Sequence, residues 1–224
     1  MEINTSPFRK VCLVLYKEIL IEYRSPQRIG VLLMFSLTTF SVVSMALGSQ
    51  SLTPPFLASL LWIVVFFSAI ASLAHSFLQE QQTGTIYVLR LYGGAQPVLF
   101  GKLLYNLILL TILFLFVVPL FFMFFTVEMV DWELFLGTLL LGAIGMAVLM
   151  TLLSAFLLAA HNQNALFMVI SFPILLPLLL FGILLTTQSF QTDTAVNLKQ
   201  LYFLAGYDVV MLGTSSVLFD YLWY

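Results

Sequence analysis

Hydrophobic positions in this chain follow two patterns. In residues 5–28, Phe8, Val11, Cys12, Leu15, Tyr16, Ile19 and Tyr23 recur at steps of three and four, while Arg9, Lys10, Lys17, Glu18 and Glu22 mostly occupy the other side. That spacing predicts an amphipathic helix. Ser6-Pro7 supplies its start, with serine as the cap and proline at the first helical position. Its end is set by Ser25, which precedes Pro26 and is therefore biased away from helix. From residue 29 onward the pattern changes to long apolar runs, at about 29–48, 56–74, 103–126, 134–158, 166–187 and 200–222. Each is near the ~20 residues that a helix needs to cross a bilayer. The expectation is six transmembrane helices, with the first amphipathic helix lying in the membrane interface and its lysines and arginines toward headgroups and water.

Composition agrees with lipid as the main solvent. The chain has 224 residues, 62% hydrophobic and 8% charged. So few charges cannot cover a water-facing surface, since soluble domains are about 25% charged. The net charge of −2 is spread without a basic patch, so no nucleic-acid partner is expected. A single cysteine, Cys12, forms no intrachain disulfide and reads as a small apolar filler. The charged, amphipathic start is unlike a secretory signal peptide.

Charge sets the orientation. Arg9, Lys10, Lys17, Arg24, Arg28, Arg90 and Lys102 fall on the side of the N-terminus, and only Lys199 falls on the other. The positive-inside rule then places both termini in the cytoplasm. The outer loops, 49–55, 127–133 and 188–199, are too short to hold a domain. Trp132 and Tyr202 lie where interfacial aromatics are expected.

Between the second and third runs, residues 75–102 form the one sizeable polar interruption in the first half. Phe77, Leu78, Ile86 and Leu89 sit in it at helical spacing, with Glu80 and Arg90 among them and Gly84 between the two pieces. This is the pattern of a short helical elbow on the cytoplasmic side. No domain of the chain's own is expected to bury those apolar residues, so they read as an interaction surface; Glu80 and Arg90 then sit at its rim. Binding to the membrane interface is the simpler alternative.

Two positions break the apolar runs of the second half. Pro173 and Pro177 lie inside the fifth run, and each removes a backbone hydrogen bond, so the span is expected to be kinked or broken. The kink is either static or part of a moving element. Asp208 lies in the sixth run. At mid-span it must face protein or water. Alternatively the last span starts later and Asp208 lies in an outer re-entrant turn helped by Gly206; the shallower placement is preferred.

Several chemistries have no residues to carry them. There is no GxxxxGK[ST] loop for nucleotide and no HExxH or clustered metal-ligand spacing. His75 and His161, the only histidines, fall at cytoplasmic span ends, and neither is placed to serve a serine protease at matching depth. No outer loop offers a histidine to haem iron. The expectation is a non-catalytic membrane protein that binds no cofactor directly.

This order of elements resembles the CcmB family, the permease of the cytochrome c maturation ABC transporter. Lys17-Glu18 and Arg24 ahead of a span ending Met45-Ala46-Leu47-Gly48, the elbow Ser76-Phe77-Leu78-Gln79-Glu80-Gln81-Gln82-Thr83-Gly84-Thr85, and Phe172-Pro173-Ile174-Leu175-Leu176-Pro177 with Phe181-Gly182 carry the resemblance. It departs at Gln81, Gln82 and Tyr87, where the family is usually acidic. The resemblance implies an all-α, ABC-2-like permease: one transmembrane domain over 1–224, with an interfacial helix at 5–28 and a coupling segment at 75–102. It implies residence in the bacterial inner membrane and assembly as a homodimer in lipid. Its partners would be a CcmA-type ATPase that binds ATP, a CcmC-type haem-handling protein, a CcmD-type small subunit and, indirectly, the haem chaperone CcmE. Phe77, Leu78, Glu80, Gly84, Ile86, Leu89 and Arg90 would then couple the ATPase to the spans. The missing outer histidine favours a mechanical role over haem ligation. A permease for a lipid, glycan or drug shares the elbow, and a non-transport scaffold predicts that no ATPase copurifies.

Overall fold

The computed structural model describes residues 6–48, 52–73, 80, 84–92, 94–159, 163–191 and 198–223, with backbone alone at 92, 157–159, 163–172 and 198. Among these residues the chain is all helical. In order the helices are α1 (Pro7–Arg24), α2 (Gln27–Leu47), α3 (Pro54–Leu73), α4 (Ile86–Tyr92), α5 (Ala95–Phe124), α6 (Trp132–Ala159), α7 (Gln163–Ser189) and α8 (Leu198–Trp223). Five of them, α2, α3, α5, α6 and α8, are long and apolar enough to cross a bilayer, and α7 contributes the shorter apolar stretch Pro173–Ser189. This is a multi-pass membrane protein.

The expected apolar runs locate the helices within a few residues, with one informative exception. Helix α5 begins at Ala95 instead of near 103, so it takes in Gln96 and Lys102. The proline step starts α1 as predicted, although Ser6 makes no side-chain cap bond; its carbonyl instead accepts the Arg9 amide at 2.9 Å.

Helices α5 and α6 form the hub. Helix α6 packs against α3, α5, α7 and α8, while α5 packs against α1, α2, α3, α6 and α8. Trp62 of α3 is fully buried in the core, and its indole N–H donates to Thr186 Oγ1 of α7 at 2.9 Å. Room for that ring is made by absent side chains. A Cβ on Gly142 of α6 would lie 2.1 Å from the indole, and one on Gly182 of α7 would lie 2.8 Å from it. Both glycines let the indole lie directly against the helix backbone, the use of small residues that membrane helix interfaces favour.

Helix α7 runs unbroken through Pro173 and Pro177. Of the two expectations, a kink or a break, the continuous helix excludes the break. The Tyr207 hydroxyl of α8 donates to the Ile174 carbonyl, in the turn between the two prolines. That bond ties α8 to this turn, while the carbonyls that lose an amide partner to the prolines are those of Val169 and Pro173. Helix α8 is likewise continuous, so Asp208 lies well inside a helix and not in a re-entrant turn. The fold has no need of a turn there, because Gly206 has open space around it and remains helical.

One end of the bundle is closed by rings. Phe121 lies 6.0 Å from Phe40, 5.5 Å from Phe125 and 6.3 Å from Phe190. Phe135 lies 5.8 Å from Phe190 and 6.2 Å from Trp132. The loop here is tied down by the Ser189 carbonyl, which accepts the Val130 and Asp131 amides. Asp131 in turn accepts the Leu134 amide at 3.0 Å, satisfying one of the orphan donors at the start of α6.

Candidate functional site

The other end of the bundle is built around Lys102. It sits in the second turn of α5 and is 1% exposed, a position that an unpaired ammonium does not tolerate. What it meets is decided one residue earlier. A Cβ at Gly101 would lie 2.7 Å from Val14 of α1, so α1 packs directly on the backbone of α5. One helical turn beyond Val14, Glu18 then reaches Lys102, with Nζ 2.7 Å from Oε1. The same ammonium lies 3.1 Å from Glu80 Oε1, in the segment between α3 and α4. A single buried cation therefore holds carboxylates from two different parts of the chain.

The network spreads from there. Lys17 donates to Glu80 and lies 3.4 Å from Glu18. Arg28, at the start of α2, donates to Glu18 Oε2 at 3.1 Å, and its guanidinium stands 5.3 Å over the Tyr105 ring. Glu22 accepts the Tyr105 hydroxyl at 2.9 Å and the Ile29 amide at 3.0 Å. The second bond places a carboxylate on the N-terminus of α2, where backbone donors and the helix dipole both favour it. Ser72 at the end of α3 donates to the Arg28 carbonyl at 3.0 Å. Burial by itself would raise the pKa of Glu18, but Lys102, Arg28 and Lys17 together outweigh it and hold the carboxyl down at about 2.

This arrangement corrects the expected orientation of α1. Val14, Glu18 and Glu22 form its inward face, while Phe8, Leu13, Tyr16, Ile19 and Tyr23 point outward and Cys12 is exposed. The carboxylates turn inward because Lys102, Arg28, Tyr105 and the α2 amides satisfy them better than an interface does. The apolar face is left exposed.

The elbow is similarly two-sided. Gly84 adopts a φ of +72°, the left-handed region open to glycine, just ahead of α4. Glu80 is buried, and its Oε2 accepts the Thr85 hydroxyl at 2.7 Å. Ile86 is buried and Leu89 half-buried, in a cluster with Val14, Val98, Leu99, Phe219 and Trp223. The Arg90 guanidinium stands 5.9 Å over the Trp223 ring. The outward face of α4 is instead Tyr87, Val88 and Leu91, which are 71%, 57% and 78% exposed. Gln96 completes the end of the bundle, donating to Asp220 at 2.8 Å and accepting from Ser216 at 2.9 Å. Phe77 and Leu78 lie outside the described residues. Pro173, Pro177 and Asp208 are in α7 and α8, apart from this cluster.

The sequence model of the CcmB protein family matches residues 9–218, nearly the whole chain. The chain belongs to the CcmB family. Membership carries the family's role as a permease of the haem-exporter type in cytochrome c maturation, a subunit of an ABC transporter. Among curated proteins none matches the chain. Every CcmB-like feature noted in the sequence falls within the match, including Glu18, Glu80 and the α7 prolines. Among the described residues no group of three or more His, Cys, Asp or Glu side chains is arranged to hold a metal ion.

Sequence reasoning singled out Glu80 but missed its partners. The signal was available in two places. Val14, Glu18 and Glu22 are spaced four apart and share one helix face. Lys102 stands against a long apolar run and therefore needs a counter-ion.

Proposed function

We propose that this chain is the membrane permease on which a separate, CcmA-type ATPase acts, and that α4 is the element the ATPase grips. The observation that carries this reading is Lys102 held between Glu18 of α1 and Glu80 of the elbow. A displacement of the elbow cannot be absorbed locally, since it pulls on an ammonium fixed in α5 and through it on α1. Ile86 and Leu89 anchor α4 to the permease, and Tyr87, Val88 and Leu91 are the face left for the partner. Three apolar side chains side by side on a short helix are a suitable hot spot for a groove. Gly84 lets the chain turn into that helix, and Arg90, beside Trp223, orients its far end.

In this reading the chain crosses the bacterial inner membrane six times, with α7 as the fifth span. Both termini and the charged end of the bundle are cytoplasmic. It works as a homodimer beside CcmC-type and CcmD-type subunits and acts indirectly on a CcmE-type chaperone. ATP and haem are held by those partners. Support comes from the family match and from the collection of Lys17, Arg28, Arg90 and Lys102 at one end. The test is copurification of the ATPase with variants of the outward face. Tyr87→Asp together with Leu91→Asp should insert normally and lose the ATPase. Retention of the ATPase at the wild-type level in that double variant would rule out α4 as the grip.

A further inference from the structure

We propose that Asp208 is a proton-binding site inside the helix bundle, and that its occupancy sets how α8 packs against α6 and α7. The residue is the eleventh of α8 and is 4% exposed. Neither carboxyl oxygen has a hydrogen-bond partner among the described residues. The carboxyl group lies against the backbone of α6. A Cβ on Gly145 would fall 2.3 Å from Oδ1 and 2.1 Å from Leu178 of α7, so only glycine leaves this space open. The result is a cradle shaped to one carboxyl group, with no donor to it among the described residues.

Among the described residues no positive charge faces it from the helices that pack on α8: Arg90 of α4 stands over the ring of Trp223, fifteen residues along α8. Lys102 is the one cation of α5, and it is engaged by Glu18 and Glu80. Tyr105, also on α5, gives its hydroxyl to Glu22. Helix α6 carries only Glu133, in its first turn, and the sequence of α7 has no charged residue. On α8 itself, Lys199 and Asp220 are nine and twelve residues away, and Asp220 accepts from Gln96. Tyr207 is adjacent but donates to Ile174. A carboxylate without counter-ion or donor is costly in such surroundings, whereas a carboxylic acid is not. A bound proton removes the charge and lets the group rest on Gly145. On release the proton passes to water, and the carboxylate then needs water or a cation that the closed cradle does not admit. Helix α8 must shift to provide it. Because Tyr207 is the next residue, that shift bears on its bond to Ile174, between the two prolines of α7.

Carbodiimide labelling tests this directly on the full chain in phosphatidylcholine nanodiscs. Dicyclohexylcarbodiimide takes the proton of a neutral carboxyl on nitrogen. The carboxyl oxygen adds to its central carbon, and where water is excluded the adduct rearranges to a stable N-acylurea. Mass spectrometry should find that label on Asp208 and not on the ion-paired Glu18 or Glu80. Labelling should fall about tenfold for each pH unit above the midpoint of the site, and Asp208→Asn should abolish it. Infrared difference spectra give a second readout. A protonated carboxyl stretch that disappears in Asp208→Asn supports the site even if the reagent fails to enter. Absence of both the label and the band overturns the proposal. So does labelling that is independent of pH, or protection by sodium or potassium at constant pH, which would make this a cation site.

Discussion

The two ends of this bundle solve the same closure problem with opposite chemistry. At one end, Phe40, Phe121, Phe125, Phe135 and Phe190 meet at ring distances of 5.5 to 6.3 Å. The burial term of such packing is non-directional and the ring-pair preferences are weak, so its energy degrades gradually when a ring is trimmed. At the other end, Glu18, Glu22, Glu80, Lys17, Arg28 and Lys102 meet with their charges largely out of water. Buried ion pairs contribute little net stability over an apolar core, but breaking one is expensive, because it strands a charge. The aromatic end tolerates change, and the charged end resists any partial change. An element that has to move as a unit under force is better joined by the second kind of contact.

Three measurements would break or sharpen this contrast, taken from the largest expected effect downward. Lys102→Met keeps the volume and removes the cation shared by Glu18 and Glu80. It should cost on the order of 3–5 kcal/mol, seen as a drop in the unfolding midpoint of the protein in mild detergent. A near-neutral result would mean that the network is an ornament of a core that closes without it.

The second uses pH. The folded state holds Glu18 down at about 2, below its ordinary value of 4.5. A depressed carboxyl contributes stability that is fully present above the unfolded value and is lost as the pH falls through the folded one. The wild-type midpoint should therefore decline as pH drops from 4.5 toward 2, and Glu18→Gln should blunt that decline. An identical decline in the variant would assign the acid sensitivity elsewhere.

The smallest effect belongs to the aromatic end. Phe135→Leu removes part of a buried ring and should cost about 1–2 kcal/mol, with no new dependence on pH. A cost as large as that of Lys102→Met would erase the distinction between the ends.

The helices were largely legible in the sequence, because a bilayer demands long apolar runs and leaves few alternatives. The faces were not. Periodicity groups Val14, Glu18 and Glu22 on one side of α1, yet says nothing about which side turns inward, and an interfacial helix with its lysines and arginines toward headgroups and water gave no reason to turn that side into the bundle. The start of α5 was misplaced for a related reason. Gln96 and Lys102 look like loop residues until Asp220, Glu18 and Glu80 are seen to satisfy them. Asp208 was noticed as costly, but the glycine that accommodates it lies sixty-three positions away on another helix. Such long-range complementarity leaves no mark on a local pattern.

Helix α5 has a further consequence through its length. Its thirty residues make a rod about 45 Å long, against a hydrocarbon layer of roughly 30 Å. The rod joins the ammonium at one end to Phe121 at the other, and Phe121 closes the far rim. Tilting such a beam about its middle swings its two ends in opposite directions. A push at the elbow would therefore be delivered across the membrane as a sideways displacement of the aromatic rim, with the sense reversed and no intermediate joint.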